Sequence, residues 1–178
     1  MRKIMRKNYL YCLYIVSISW AGFAHADTIK SIAPSPNGIE FPVGYKNWQT
    51  ISVSHRIDNN TIRTILGNPI AIQAARNGKT NPWPDGTILA KVAWKQGSDE
   101  NWPSAIVPGK FHQVEFMLKD AKKYIASKGW GYARWRGEDL KPWGENADFS
   151  QGCVACHTPV AHRDYVYSTP AIFIDGKK

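Results

Sequence analysis

The chain has 178 residues, a formal net charge of +9, 43% hydrophobic residues and three cysteines. This length and apolar fraction suit one domain with its own core, which excludes a small protein held together by disulfides. Its lysines and arginines are scattered along the sequence rather than clustered, which excludes the basic patch of a nucleic-acid-binding protein.

The N-terminus has the three parts of a secretory signal. The basic start MRKIMRK precedes an uncharged apolar run, YLYCLYIVSISWAGF, and then the small-residue pattern AHA before Asp27. The pattern predicts a signal peptide over residues 1–26, cleaved after Ala26, and export to the periplasm. A retained membrane anchor is the alternative, but the apolar run is short for a span and ends in a cleavage site.

Cleavage changes the composition of the mature protein. It removes four basic residues, so 19 of the 23 remain against 14 acidic ones, and the net charge falls from +9 to +5. Cys153 and Cys156 become the only cysteines, and Met117 the only methionine. We expect a lead segment over residues 27–40 and a single domain over residues 41–178.

A hairpin is predicted at the start of this domain. WQTISVSHRI and TIRTILGN alternate like strands and are joined by turn residues at 58–60. His55 shares a predicted strand face with Ile51, Val53 and Ile57, a pattern typical of a core histidine.

A short helix and a third strand are predicted next. Asn68 and Pro69 match an N-cap and first helical residue before IAIQAARN, and Gly78 ends that helix. After the loop TNPWPDG, the segment GTILAKVAWK alternates like a strand, with Lys91 on the face of Leu89 and Ala93.

Lys91 has two interpretations. It is either an edge-strand lysine that extends to water, or a lysine that faces a cofactor, where desolvation lowers its pKa and frees its amine.

Further strand and helix patterns follow. FHQVEFML and WGYARWR predict strands, and DAKKYIASK between them predicts a short helix closed by Gly129. The stretch GEDLKPWGENADFSQG predicts a polar loop.

The strongest motif is CVACH, residues 153–157. In this C-x-x-C-H pattern two thiols add to the vinyl groups of haem and the adjacent histidine ligates the iron. A thioredoxin-like motif would open a helix in a βαβ unit, a zinc site would need a further ligand such as His162, and a plain disulfide needs no histidine. In an exported chain, covalently attached haem c is favoured. Cys153 and Cys156 would attach the haem, and His157 would be the ligand of its iron.

The second axial position of the iron decides the function. Met117 has the apolar neighbours Phe116 and Leu118 and is predicted to be a core side chain. His55, His112 and His162 are the other candidates. This set of candidates favours an iron whose second axial position is open, and such a position binds small molecules.

Early strands and a C-terminal haem motif argue against both the Met-ligated cytochromes and the four-helix cytochromes c′. We therefore predict an α+β fold, a mainly antiparallel β-sheet with short helices packed around a c-type haem.

Five blocks, FPVGYKNW, TIRTILGN, WPDGTILAKVAWK, LKDAKKYIASKGWGYARW and CVACH, resemble the cytochrome P460 family in this order, from Phe41 to Tyr167. The resemblance implies a mainly β homodimer that oxidises hydroxylamine to nitrous oxide in the periplasm and passes electrons to a small carrier. It also implies an extra bond between a lysine amine and a meso carbon of the haem.

The resemblance extends to individual residues. Lys91, six residues after Asp85, lies where the family has its cross-linking lysine, and Arg63 resembles its distal arginine. Arg63 would hold an anionic intermediate or a haem propionate; the alternative is an ordinary solvated arginine on a strand. A distal carboxylate stays open among Glu115, Glu145 and Asp148.

Two further functions stay open beside the enzyme. Related proteins called cytochrome c′-beta have the same fold, lack the lysine bond and bind nitric oxide in a phenylalanine-lined pocket, for which Phe41, Phe111 and Phe116 are candidates. A simple electron carrier would need Met117 or a histidine on the iron. The predicted partners are a small nitrogen compound or gas and an electron acceptor, without nucleic acid or a stable membrane anchor.

Overall fold

The computed structural model describes residues 31–173. The predicted signal peptide and its cleavage after Ala26 lie outside this range. Within it, every helix is too short or too polar to cross a membrane.

The domain is built on one antiparallel sheet. Each strand pairs with the next one in the chain, so the six strands form a meander in sequence order. The strands are β1 (Gln49–Arg56), β2 (Thr61–Gly67), β3 (Ile88–Ser98), β4 (Ile106–Lys119), β5 (Trp130–Arg136) and β6 (Lys141–Pro142). The α-helices are α1 (Pro69–Arg76) and α2 (Phe149–His157), and 3-10 helices span Val43–Asn47, Ile125–Ser127 and Thr158–Arg163. The predicted α+β fold with a mainly antiparallel sheet is confirmed.

The two faces of the sheet carry separate cores. On one face the N-terminal segment places Phe41 edge-to-face against Trp135, with ring centroids 5.0 Å apart. This segment extends the packed chain to residues before Phe41, since Ala33 accepts a 2.9 Å hydrogen bond from the indole of Trp135. On the opposite face, α1, α2 and the C-terminal segment cover Leu89 and Trp130.

Helix α1 begins as the sequence predicts. The Oδ1 atom of Asn68 accepts hydrogen bonds from the backbone N–H groups of Ala71 at 3.0 Å and Ile88 at 3.1 Å. Its Nδ2 atom donates to the Gly86 carbonyl at 2.8 Å. Asn68 therefore caps the helix and also fixes it to the start of β3.

The prediction of a core position for His55 is wrong. A β-bulge at Ile51 inserts one extra residue into β1, so Ile51 and His55 point to opposite faces of the sheet. Ile51 is buried, whereas Val53 and Ile57 are 67% and 81% exposed. His55 is exposed and contacts Gln96 at 3.0 Å through Nε2.

The helix predicted over DAKKYIASK does not form as such. The carboxylate of Asp120 accepts hydrogen bonds from the N–H groups of Lys122 and Lys123, which makes a turn. Only the short 3-10 helix Ile125–Ser127 follows, and it ends at Lys128 in the left-handed region. The predicted polar loop after β5 is also shorter than expected, because β6 and the first turn of α2 form within it.

Candidate functional site

A cavity of about 540 Å³ lies between the sheet and α2. This volume falls within the range of about 300–1,000 Å³ typical of ligand and cofactor sites. Apolar side chains, including Leu89 and Val166, line one part of it, and charged side chains from β2 to β5 line another. The mixed lining suits an amphipathic ligand, with an apolar body and anionic groups.

Helix α2 places the three motif residues at this cavity. Cys153, Cys156 and His157 all line it, and neither cysteine forms a disulfide. Cys153 lies at the middle of the helix and Cys156 near its C-terminus, so neither is at the N-terminus that would stabilise a thiolate. Burial raises the pKa of the Cys153 thiol. These features argue against a thioredoxin-like redox pair.

The His157 ring is held from several sides. Its Nδ1 atom lies 2.6 Å from the carbonyl oxygen of Tyr165, so Nδ1 carries the proton and donates it to that oxygen. The ring packs edge-to-face with Tyr132 at 5.4 Å and Tyr167 at 5.3 Å. Burial lowers the pKa of His157 against the opposing effect of the hydrogen bond to Tyr165. The imidazole is thus neutral, with Nε2 available to a metal.

Lys91 points into the same cavity. It lies on β3 between two neighbouring strands, so the interpretation as an edge-strand lysine is wrong. In register, Lys91 is paired with Glu115 on β4, and Glu115 with Arg134 on β5. The three side chains form a charged row across the sheet.

Glu115 is the centre of this row. It forms an ion pair with Lys91, and its Oε1 atom lies 2.9 Å from Arg134 Nε. Its side chain is only 16% exposed. Burial alone would raise the pKa of Glu115, but Lys91 and Arg134 outweigh burial and hold that pKa below its usual value.

Arg63 also lines the cavity, from β2. Its Nε atom donates to Ser54 Oγ at 3.0 Å, and partial burial together with nearby Arg56 lowers its pKa. Arg56 and Lys95 lie at the same cavity. Within residues 31–173, Glu115 is the one carboxylate in the lining, so cationic side chains outnumber it and favour an anionic ligand.

The other sequence candidates divide into two groups. Met117 and His112 line the cavity, whereas His162 is exposed on the 3-10 helix after α2. Glu145 and Asp148 are exposed and lie outside the cavity lining. Of the three carboxylates left open by the sequence, the structure brings Glu115 to the site.

Of the phenylalanine candidates, Phe116 borders the cavity, whereas Phe41 and Phe111 are absent from its lining. The rings of Phe41 and Phe116 pack 5.6 Å apart in the core on the opposite face of the sheet, and Phe111 packs against that core as well. Further aromatic lining comes from Tyr132, Trp143 and Phe149.

Several of the residues around the site were missed in the sequence. The guanidinium of Arg134 lies 4.3 Å from the centre of the Trp143 ring, which fixes the arginine beside Glu115. The alternation of Tyr132, Arg134 and Arg136 in WGYARWR was a signal that these side chains share a face. The loop position of Trp143 gave no such signal.

The donor chemistry fits haem better than zinc. Among residues 31–173 there is no cluster of three or more histidine, cysteine or acidic side chains able to hold a metal ion by themselves. Two free thiols, one neutral histidine and a half-apolar cavity bordered by arginines instead match a haem with its vinyl groups, iron and propionates.

Fold and site together define a haem-binding cytochrome. Its sheet is antiparallel and its C-x-x-C-H side chains lie on α2, unlike the arrangement in the helical cytochromes. The chain belongs to the cytochrome P460 family, whose model matches residues 42–168. The resemblance inferred from the five sequence blocks is confirmed, and membership implies a haem cofactor. A search of curated proteins finds no match to this chain.

Proposed function

We propose that the protein is a periplasmic c-type cytochrome that oxidises hydroxylamine to nitrous oxide. The observation that carries the proposal is the placement of Lys91 in the same cavity as Cys153, Cys156 and His157. Family membership supports a haem at this position. The bound haem supplies a redox-active iron, and a small periplasmic acceptor takes the electrons.

The proposed attachment of haem depends on the cysteine and histidine side chains of α2. The thiols of Cys153 and Cys156 add to the two vinyl groups, and Nε2 of His157 binds the iron. Both cysteines are one helical turn apart on the cavity side, which suits simultaneous attachment. An N-terminal secretory signal is consistent with this assignment, because c-type haem is attached outside the cytoplasm.

The reaction releases protons and electrons that the site must handle. Two hydroxylamine molecules give one nitrous oxide and one water, with the loss of four protons and four electrons. Glu115 is the carboxylate of the cavity and is ionised, so we assign it as the proton acceptor. Arg63 supplies positive charge for anionic species.

Lys91 has a covalent role in this proposal. Its amine bonds to a meso carbon of the haem, replacing one N–H and one C–H bond by an N–C bond. This step releases two protons and two electrons, which an oxidant such as a peroxide must take up. The cross-link would tune the electronic properties of the cofactor.

A second function, capture of nitric oxide without turnover, is favoured by the ion pair of Lys91. In the structure the Lys91 amine is engaged by Glu115, an arrangement in which lysine serves as a structural cation. A protein of this kind would bind the gas through the cavity and leave Lys91 unmodified.

An electron carrier is less well supported. Met117 is paired in register with Tyr132, whose ring contacts His157. Met117 also packs against the core that contains Leu89 and Trp130, which suits a core side chain better than an iron ligand. Replacing Met117 with Leu should leave the optical spectrum unchanged. Loss of a low-spin spectrum in this variant would instead support the function of an electron carrier.

A peptide mass map of the holoprotein, expressed with c-type haem maturation, tests the enzyme directly. We expect the peptide with Lys91 to stay bound to the haem together with residues 153–157, and Lys91→Met to abolish both this link and hydroxylamine oxidation. Lys95→Met is the matched control, because Lys95 lies on the same face of β3 but outside the charged row. Haem held by Cys153 and Cys156 alone, with no turnover of hydroxylamine, would support the gas-binding function instead.

A further inference from the structure

A buried ion pair lies outside the cavity lining, at the C-terminal end of the 3-10 helix that follows α2. The Lys119 ammonium donates to both carboxylate oxygens of Asp164, at 2.7 and 2.8 Å. Each residue is only 8% exposed. Burial of two charges is costly and stabilises a fold weakly, so a pair of this kind calls for a functional explanation.

Asp164 is fixed from two further directions. Its Oδ2 atom accepts the backbone N–H of Trp83 at 2.8 Å, and its carbonyl oxygen accepts the indole N–H of Trp130 at 2.9 Å. Lys119 and Trp130 are paired in register on β4 and β5, and the ammonium lies 4.9 Å from the indole centre. Asp164 is therefore tied to the adjoining ends of β4 and β5 and to the loop before β3.

The backbone at Asp164 has an unusual conformation. Asp164 and Tyr165 are consecutive left-handed residues, with φ angles of 51° and 63°. For residues other than glycine this conformation is strained, because Cβ comes too close to the following carbonyl oxygen. It persists only when the surrounding contacts hold it, and here the contacts are those of Asp164.

The left-handed pair has a direct consequence for the site. It reverses the chain so that the Tyr165 carbonyl faces back to His157, eight residues earlier, and accepts its Nδ1–H. The hydrogen bond selects the tautomer with Nε2 free and increases the electron density of the ring. A mobile carbonyl would make this bond weaker and more variable.

We propose that Asp164, through its ion pair with Lys119, is a positioning residue for the axial histidine. The pair holds the Tyr165 carbonyl as the acceptor of His157 Nδ1–H, and thereby sets the strength of the bond from His157 to the haem iron. This inference rests on the proposed function only in taking His157 as an iron ligand. It is independent of hydroxylamine oxidation and of the Lys91 cross-link.

The test uses the reduced holoprotein with the substitution Asp164→Asn and with two substitutions at Lys119, Lys119→Gln and Lys119→Arg. We expect Asp164→Asn and Lys119→Gln to lower the iron–histidine stretching frequency in resonance Raman spectra and to raise the midpoint potential, because a less electron-rich imidazole stabilises ferric iron less. Lys119→Arg keeps the charge and should restore both signals towards those of the unsubstituted protein.

Asp85→Asn is the matched control. The Asp85 carboxylate also accepts a backbone N–H, that of Ala121 at 2.9 Å, but among the described residues it forms no hydrogen bond or ion pair with residues 157–165. This variant should lose stability without a change in either signal. If the Asp164 and Lys119 variants lose stability and keep both signals, the pair is merely structural and the inference is wrong.

Two other outcomes are also decisive. Failure of the entire series to fold, including Lys119→Arg, would show a requirement for folding itself and overturn the positioning role. Absence of haem from the unsubstituted protein would instead overturn the proposed function, together with the inference that depends on it.

Discussion

Lys91 and Glu115 are paired in register on adjacent central strands and form an ion pair inside the cavity. Arg134 extends the row from the next strand, so one carboxylate is shared between two cations. This arrangement makes Glu115 both a structural centre and the proton-accepting group of the proposed reaction. Its effects on stability and on activity are therefore separable by experiment.

The substitution Glu115→Gln should destabilise the protein. It leaves Arg134 as a largely buried cation without its carboxylate partner, at a cost of about 1–3 kcal/mol. Urea unfolding of the holoprotein measures this cost. Asp58→Asn breaks an exposed ion pair with Arg56 and should change stability much less, because solvent screens such a pair. Equal effects of the two substitutions would contradict a central role for Glu115.

Stability should fall in acid because of Glu115. Its pKa is lower in the folded protein than its ordinary value of 4.5, so below pH 4.5 the unfolded chain binds more protons than the folded one. The contribution of Glu115 is fully present above pH 4.5 and is lost as the pH falls through the folded pKa. Urea unfolding of the protein before haem attachment, in which Lys91 keeps its charge, should show a steeper slope between pH 3 and pH 6 for the unsubstituted protein than for Glu115→Gln. Parallel curves would show that Glu115 does not carry this dependence.

Arg63 should contribute to anion binding. Replacing Arg63 with Leu removes a cation at the cavity and should weaken azide binding to the ferric holoprotein about tenfold or more, as loss of a hydrogen bond to a charged group costs about 1.5–3 kcal/mol. Optical titration gives the dissociation constants. Arg76→Leu is the control, since Arg76 is exposed on α1 and bonds to Gln49. An unchanged azide affinity in the Arg63 variant would show that Arg63 does not contribute to anion binding.

Asn68 should be important for folding although it is remote from the cavity. Asn68→Ala removes both hydrogen bonds accepted by Oδ1 and the one donated by Nδ2, so we expect a loss of about 2 kcal/mol. Asn77→Ala at the other end of α1 should have a much smaller effect, because Asn77 caps the helix through its backbone N–H. Thermal unfolding compares the two variants, and similar losses would argue against the cap as the cause.

Local patterns were sufficient for part of this protein. The alternation of GTILAKVAWK placed Lys91 on the cavity face, and the pair Asn68-Pro69 located the start of α1. The spacing of Cys153, Cys156 and His157 predicted haem chemistry, because these residues act within one helical turn. Strand alternation, caps and the haem motif depend on neighbours in the chain, so the sequence by itself determined them.

The tertiary structure decided the rest. The bulge at Ile51 moved His55 to the outside, and strand register chose Glu115 over Glu145 and Asp148 as the carboxylate at the site. The ion pair of Lys119 with Asp164 joins residues 45 positions apart. Such contacts depend on how distant elements pack and on which backbone conformations that packing can hold, and no local pattern in the sequence specifies either.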